Sequence, residues 1–134
     1  MVRGQTELLR VKILLVDDDD LVRAAIEDVL RDAGFEVVAT GNPHEALGLP
    51  DAIGPPGVVI TDIDLSSLLN GFDVAAGAHL LWPTAQVILI SGLPVNHTGQ
   101  ALGPRDHYLQ KPFSCTHLLG AIAEVVNKAR REQR

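Results

Sequence analysis

Residues 11–20 read Val11-Lys12-Ile13-Leu14-Leu15-Val16-Asp17-Asp18-Asp19-Asp20, and the fold turns on them. The first six form an apolar run, broken only by Lys12, with no in-out alternation. A strand that is apolar on both sides is buried on both faces, as in a parallel sheet covered by helices. The four aspartates end that run. A helical stripe follows at Leu21, Val22, Ala25, Ile26, Val29, Leu30 and Ala33, whose spacing puts them on one helix face. Gly34 then supplies a stop signal.

The same strand–turn–helix unit recurs outward from this stretch. Residues 35–39 read as a second strand. Asn42, Pro43 and Glu45 read as N-cap, first helical residue and the acid of a capping-box-like pattern opening a short helix. A loop at 51–57 leads to a third strand at 58–61, a loop at 65–71 to a helix at 72–82, and Pro83 breaks that helix. Residues 86–90 are a fourth strand. The stretch 93–104 contains Pro94, Gly99, Gly103 and Pro104 and leaves room only for a short or distorted helix. Residues 108–110 are a brief fifth strand. Ser114 caps a last helix with the stripe Leu118, Leu119, Ile122, Val125, Val126 and Ala129, and Lys128, Arg130 and Arg131 suit its C-terminal dipole. Five such units predict an α/β, doubly wound parallel sheet with helices on both faces.

Composition bounds the function. The chain has 134 residues, 46% hydrophobic and 21% charged, which is one domain able to hold a core without staples. Its single cysteine, Cys115, excludes an internal disulfide. No apolar run is long enough to span a bilayer, and the first residues lack the apolar centre of a secretory signal, so a cytoplasmic location is expected. The net charge is −6, from 17 acidic and 11 basic residues, which argues against a broad basic surface for nucleic acid.

In an open parallel sheet, ligands bind beyond the carboxyl ends of the strands. The first strand ends in Asp17 to Asp20, the third in Asp62-Ile63-Asp64, the fourth in Ser91-Gly92 and the fifth in Lys111-Pro112. The second ends in Thr40-Gly41-Asn42, with no charge. Each group alone has a plain structural reading: aspartates complement a helix N-terminus, and Asp-x-Asp is common turn chemistry. Their convergence on one edge is the signal. Two carboxylates about 4 Å apart repel by about 4 kcal/mol at an effective dielectric near 20, a cost that a divalent cation relieves. Oxygen donors without His or Cys favour magnesium or a similar hard ion. Beside a lysine ammonium and a hydroxyl, such a group suits a phosphoryl ligand.

At these residues the chain resembles the receiver domain of bacterial two-component response regulators. The resemblance spans roughly residues 11–130 and rests on four ordered motifs: 13–19, 59–65 with Asn70-Gly71-Phe72, 89–92 and 108–113. It implies a flavodoxin-like fold with strand order 2-1-3-4-5 and five helices, a receiver domain at 10–131 and a lead-in at 1–9. It implies that Asp62 is the phosphoacceptor and Asp18 a direct Mg2+ ligand. Asp17 would act through water, and the Asp62 side chain and the Asp64 backbone carbonyl would complete the metal set. Ser91, Gly92 and Lys111 would hold the phosphoryl group, Ser91 and Tyr108 would switch on activation, and the Lys111–Pro112 bond is often cis.

The implied partners are a sensor histidine kinase or phosphotransfer protein and a downstream protein target, reached through the last two strand–helix units. No nucleic-acid or membrane partner is implied, and the expected state is a stand-alone monomer or weak homodimer that is not a turnover enzyme. Departures from the family pattern are Ser66 in place of proline, a loop to Gly71 one residue longer, Gly92 in place of alanine, Asp106-His107 before the aromatic, and an acidic Asp64, read here as tuning phosphoryl lifetime.

Two other readings compete. Asp62-Ile63-Asp64 resembles the nucleophile motif of haloacid-dehalogenase-like phosphatases, but there it follows the first strand in a longer chain, and Asp17-Asp18 would be unexplained. A phosphorylation-independent pseudo-receiver would not need the full acceptor set. His44, His79, His97, His107 and His117 read as surface or packing residues, Cys115 as unreactive, and Trp82 as capping a helix against the core. Six acids, Asp17 to Asp20, Asp62 and Asp64, are assigned to the one edge.

Overall fold

Each apolar run becomes a strand where the sequence stays β-branched. The computed structural model describes residues 10–95 and 99–132. Its strands are β1 (Lys12–Val16), β2 (Glu36–Thr40), β3 (Val58–Asp62), β4 (Gln86–Ser91) and β5 (Asp106–Gln110). All pair in parallel in the order β2-β1-β3-β4-β5. The helices are α1 (Asp20–Asp32), α2 (Pro43–Ala46), α3 (Gly71–Leu81) and α4 (Cys115–Glu132), with a 3₁₀ turn at Leu49–Ala52.

Alternate residues of a strand point to opposite faces, so the continuous apolar runs feed two cores. Ile13, Leu15, Ile60, Ile88 and Ile90 pack under α1 and α4 with Ile26, Leu30, Leu118 and Ile122. Leu14, Val16, Val59, Val87 and Leu89 pack on the other face with Ala46, Val74 and Ala78 of α2 and α3. Full burial of one such aliphatic side chain contributes about 1.5–3 kcal/mol. Trp82, just past α3, packs half-buried against the second core, as its sequence position suggests.

Several expectations are corrected. The fold class is the expected one, with four α-helices among the described residues where five were expected; residues 96–98, in the crossover from β4 to β5, lie outside the described residues. The first helical stripe is narrower than its spacing suggests: Leu21 is 84% exposed and Ala25 is also exposed, leaving Val22, Ile26, Val29, Leu30 and Ala33 to face the core. Asn42 caps α2 through His44 N–H, but Glu45 closes no capping box. Its carboxylate accepts from Thr40 Oγ1 at 2.7 Å instead. The lead-in at 1–9 and His97 lie outside the described residues. No helix among the described residues is long and apolar enough to cross a membrane.

Gly71 opens α3 where the helix meets the end of β3. A Cβ at this position would lie 2.4 Å from the Asp62 carbonyl oxygen and 2.8 Å from Ile63 Cα. Only glycine permits that approach. Asn70 fixes the helix start with a full capping box to Asp73.

Candidate functional site

Strand register assembles the site. Val16 pairs with Thr61, so Asp17 and Asp62 come side by side as the next residues of adjacent strands. Asp62 pairs with Ile90, and Ser91 follows. Ser91 pairs with Gln110, and Lys111 N–H donates to the Ser91 carbonyl at 2.8 Å. Four residues distant in sequence are thus placed by backbone pairing alone.

Carboxylate oxygens of Asp17, Asp18 and Asp62 lie within 4.8 Å of one another. Lys111 Nζ donates to Asp62 Oδ2 at 2.9 Å and stands 3.8 Å from Asp17 Oδ2. Three carboxylates thus face one ammonium. Asp17 is fully buried, and its Oδ2 has no hydrogen-bond partner. An orphaned carboxylate oxygen in a low-dielectric site is costly, and a divalent cation on that oxygen would remove the cost. The donor set therefore fits magnesium, a hard cation that takes oxygen ligands.

Burial pushes the Asp17 carboxyl above its usual value, outweighing the Asp19 N–H bond and the Lys111 charge, with Asp62 and Asp18 adding repulsion. Asp18 moves the other way. The N–H and hydroxyl of Ser66 hold its carboxyl low, and the Ser66 N–H reaches Asp18 Oδ2 at 2.6 Å. Burial works against the Lys111 ammonium, but Asp62 and Asp17 overcome this and raise its pKa. The ammonium is held charged where a phosphoryl anion would sit.

Ser91 is buried, and its Oγ accepts the Leu93 N–H at 3.1 Å. The Tyr108 hydroxyl donates to the Leu93 carbonyl. The two residues expected to switch together therefore both bond the backbone of Leu93. Gly92 is open, with nothing within 4 Å of a Cβ built there. A cavity of about 190 Å³ is lined by Ile63, Asp64, Asn70, Phe72, Ser91 and Leu93 among others. The Lys111–Pro112 bond is cis.

Not all six acids join the cluster. Asp19 is the N-cap of α1, accepting from Leu21 and Val22 N–H. Asp20 is exposed and pairs with Arg23 at 2.7 Å. For these two the helix-terminus reading holds. The Asp64 side chain is exposed, and its N–H donates to Asp62 Oδ1 at 3.1 Å. Of the histidines, His44 meets Ser67 at 3.0 Å, His79 meets Asp106 at 2.7 Å and His107 meets Gln86 at 2.8 Å, and none of these partners belongs to the Asp17, Asp18 and Asp62 cluster. Cys115 is free and exposed.

Sequence reasoning missed three contributors. Arg23 Nη1 donates to the Asp17 carbonyl at 2.8 Å, over Gly41, where a Cβ would lie 2.6 Å from that nitrogen. Ser66 supplies a backbone donor, and Leu93 a backbone acceptor and donor. Main-chain groups leave no mark in residue identity, but Gly41 next to the acidic edge was a usable signal.

The model of the response regulator receiver domain family matches residues 13–123. The chain is 31% identical to "Protein PilG" of Pseudomonas aeruginosa over 117 residues, 84% of each protein. It is 30% identical to "Chemotaxis protein CheY" of Listeria monocytogenes over 118 residues, covering 84% of this chain and 95% of that one. Among solved structures, a response regulator receiver protein of Sinorhizobium medicae superposes with a TM-score of 0.80 at 29% identity, covering 89% of this chain and 96% of the other.

Proposed function

The chain belongs to the response regulator receiver domain family, and from that membership and the geometry of its acidic edge we propose that it accepts a phosphoryl group on Asp62. The observation that carries this is the Lys111–Asp62 contact at 2.9 Å beside an unpartnered, buried Asp17 oxygen. One side of Asp62 is thereby matched to an anion and the other to a cation. In this reading Asp17, Asp18, Asp62 and the Asp64 carbonyl hold Mg2+, which when bound supplies charge neutralisation to the phosphoryl oxygens.

The donor is a phosphohistidine of a sensor kinase or phosphotransfer protein. An Asp62 carboxylate oxygen attacks phosphorus, the new O–P bond forms, and the N–P bond breaks with its electron pair leaving on the imidazole. Lys111 pairs with a phosphoryl oxygen as charge shifts. Ser91 turns its hydroxyl to another, giving up the Leu93 N–H. That loosens Leu93, whose carbonyl Tyr108 holds, and so carries the change to β5 and α4, where a downstream protein docks. The domain acts as a cytoplasmic signalling module rather than a turnover enzyme. Asp64, which lines the same cavity as Ser91, influences the water that hydrolyses the acyl phosphate. An Asp64→Asn variant with an unchanged dephosphorylation rate would exclude that role.

The test is mass spectrometry after treatment with acetyl phosphate and magnesium. One phosphoryl adduct is expected on wild type and none on Asp62→Asn. An adduct on both, or on neither, sinks the reading. Steady release of phosphate from a phosphomonoester would favour the phosphatase alternative.

A further inference from the structure

Three features lie outside the donor set of the site. The apolar outer face of α3, with Leu80 84% and Leu81 56% exposed, has nothing beside it to say what covers it. The His79–Asp106 pair joins α3 to the start of β5 and accounts for its own polar groups. The contact between residues 66 and 18 is different, because it reaches the metal-fitting carboxylates from outside them.

Asp18 is the least buried member of the carboxylate cluster, where Asp17 and Asp62 are both buried. A half-exposed aspartate on a loop has free rotamers, and ordering it costs entropy when a ligand binds. Here the ordering is already done. Ser66 N–H donates to Asp18 Oδ2 at 2.6 Å across 48 residues of sequence, which is short for a charge-assisted N–H bond. That leaves the second carboxylate oxygen for another partner. Groups that hydrogen-bond a metal ligand from behind fix its orientation, and their loss typically weakens metal affinity tenfold or more.

We propose that the backbone N–H of Ser66 is a positioning group for divalent-cation binding, holding Asp18 aimed at Asp17 and Asp62 before the ion arrives. The inference rests on the metal site of the reading above and adds the residue that sets its affinity. Position 66 decides whether this donor exists, because a proline there has no N–H to give. The device also joins two loops: the turn between β1 and α1, which carries Asp18, and the loop between β3 and α3, which carries Ser66.

Calorimetric titration of the full chain with magnesium chloride tests this. Ser66→Pro, which removes both N–H and hydroxyl, is expected to raise the Mg2+ dissociation constant about tenfold. Ser66→Ala, which keeps the N–H, is expected to raise it by less than about threefold. In acetyl phosphate reactions, the magnesium concentration for half-maximal rate should rise in Ser66→Pro while the rate at saturating magnesium is retained. A general structural defect would lower both.

Equal or tighter binding by Ser66→Pro overturns the inference, as does an equal loss in Ser66→Ala. Absence of magnesium binding by wild type overturns the functional reading and this inference with it. Normal wild-type binding with an unaltered Ser66→Pro overturns the inference alone. Amide hydrogen exchange in the metal-free protein needs no proline variant. The Ser66 amide should be protected in wild type and lose protection in Asp18→Ala, and an amide unprotected in wild type refutes the contact.

Discussion

Replacing Gly71 with alanine puts helix propensity and tertiary approach in direct opposition. Alanine is favoured over glycine inside a helix by about 1 kcal/mol, so local reasoning gives a gain. The structure gives a loss. The new Cβ would sit 2.4 Å from the Asp62 carbonyl oxygen, 2.8 Å from Ile63 Cα and 3.0 Å from the Asp62 carbonyl carbon. Comfortable carbon contacts are about 3.5–4.0 Å, so α3 must retreat from β3 by roughly 1 Å. The obstructing atoms are backbone and cannot rotate away. Overpacking of this kind costs about 1–3 kcal/mol. At about 2.1 cal/mol/K per residue over 134 residues, that lowers Tm by about 4–10 °C.

Gly120 is the matched control. It lies in α4, is exposed, and a Cβ there meets nothing within 4 Å. Gly120→Ala should raise stability by about 0.5–1 kcal/mol. Thermal denaturation followed by circular dichroism reads both variants. If Gly71→Ala is as stable as wild type, or if the two variants move in the same direction, the close approach of α3 to Asp62 is wrong.

Three further outcomes are expected. Arg23→Ala removes a charged donor from the Asp17 carbonyl and should cost about 1.5–3 kcal/mol in urea unfolding, with Gly41→Ala destabilising in the same sense because its Cβ displaces the guanidinium. Asp17→Asn removes a buried carboxylate and should leave the metal-free protein at least as stable as wild type while abolishing the rise in Tm that magnesium gives. Burial, with help from Lys128, holds the His107 imidazole below its usual value of 6.5. Its contribution to stability is therefore complete above pH 6.5 and is lost as pH falls through 6.5 toward the lower folded value. Stability measured from pH 7 to 5 should fall more steeply in wild type than in His107→Gln, and parallel curves would refute it.

Much of this was readable from the chain because the deciding signals are local. Val58 to Thr61 with Asp62 behind them, or Leu89-Ile90-Ser91-Gly92, state strand and strand end within a few residues. Parallel register then carries Asp17, Asp62, Ser91 and Lys111 together without further information. What was not readable depends on contacts between distant backbones. Leu21 matches the stripe of α1 by spacing, but nothing in its neighbours says that no element covers it. Asp19 and Asp20 look like Asp17 and Asp18 as letters, and only the start of α1 turns them outward to cap and pair. Ser66 acts through an N–H that any residue but proline carries.

Leu93 is bonded at both ends of its own backbone, N–H to Ser91 and carbonyl to Tyr108, while its side chain is 53% exposed. One residue thus separates two kinds of inheritance. Its side chain can drift, and with it the shape offered to a partner, without touching the bonds that tie Ser91 to Tyr108. Proline at 93 would remove only the N–H bond to Ser91, and a change at 91 or 108 would remove the side-chain partner. A substitution at the Leu93 side chain can therefore reshape the exposed surface of this corner without breaking the internal linkage.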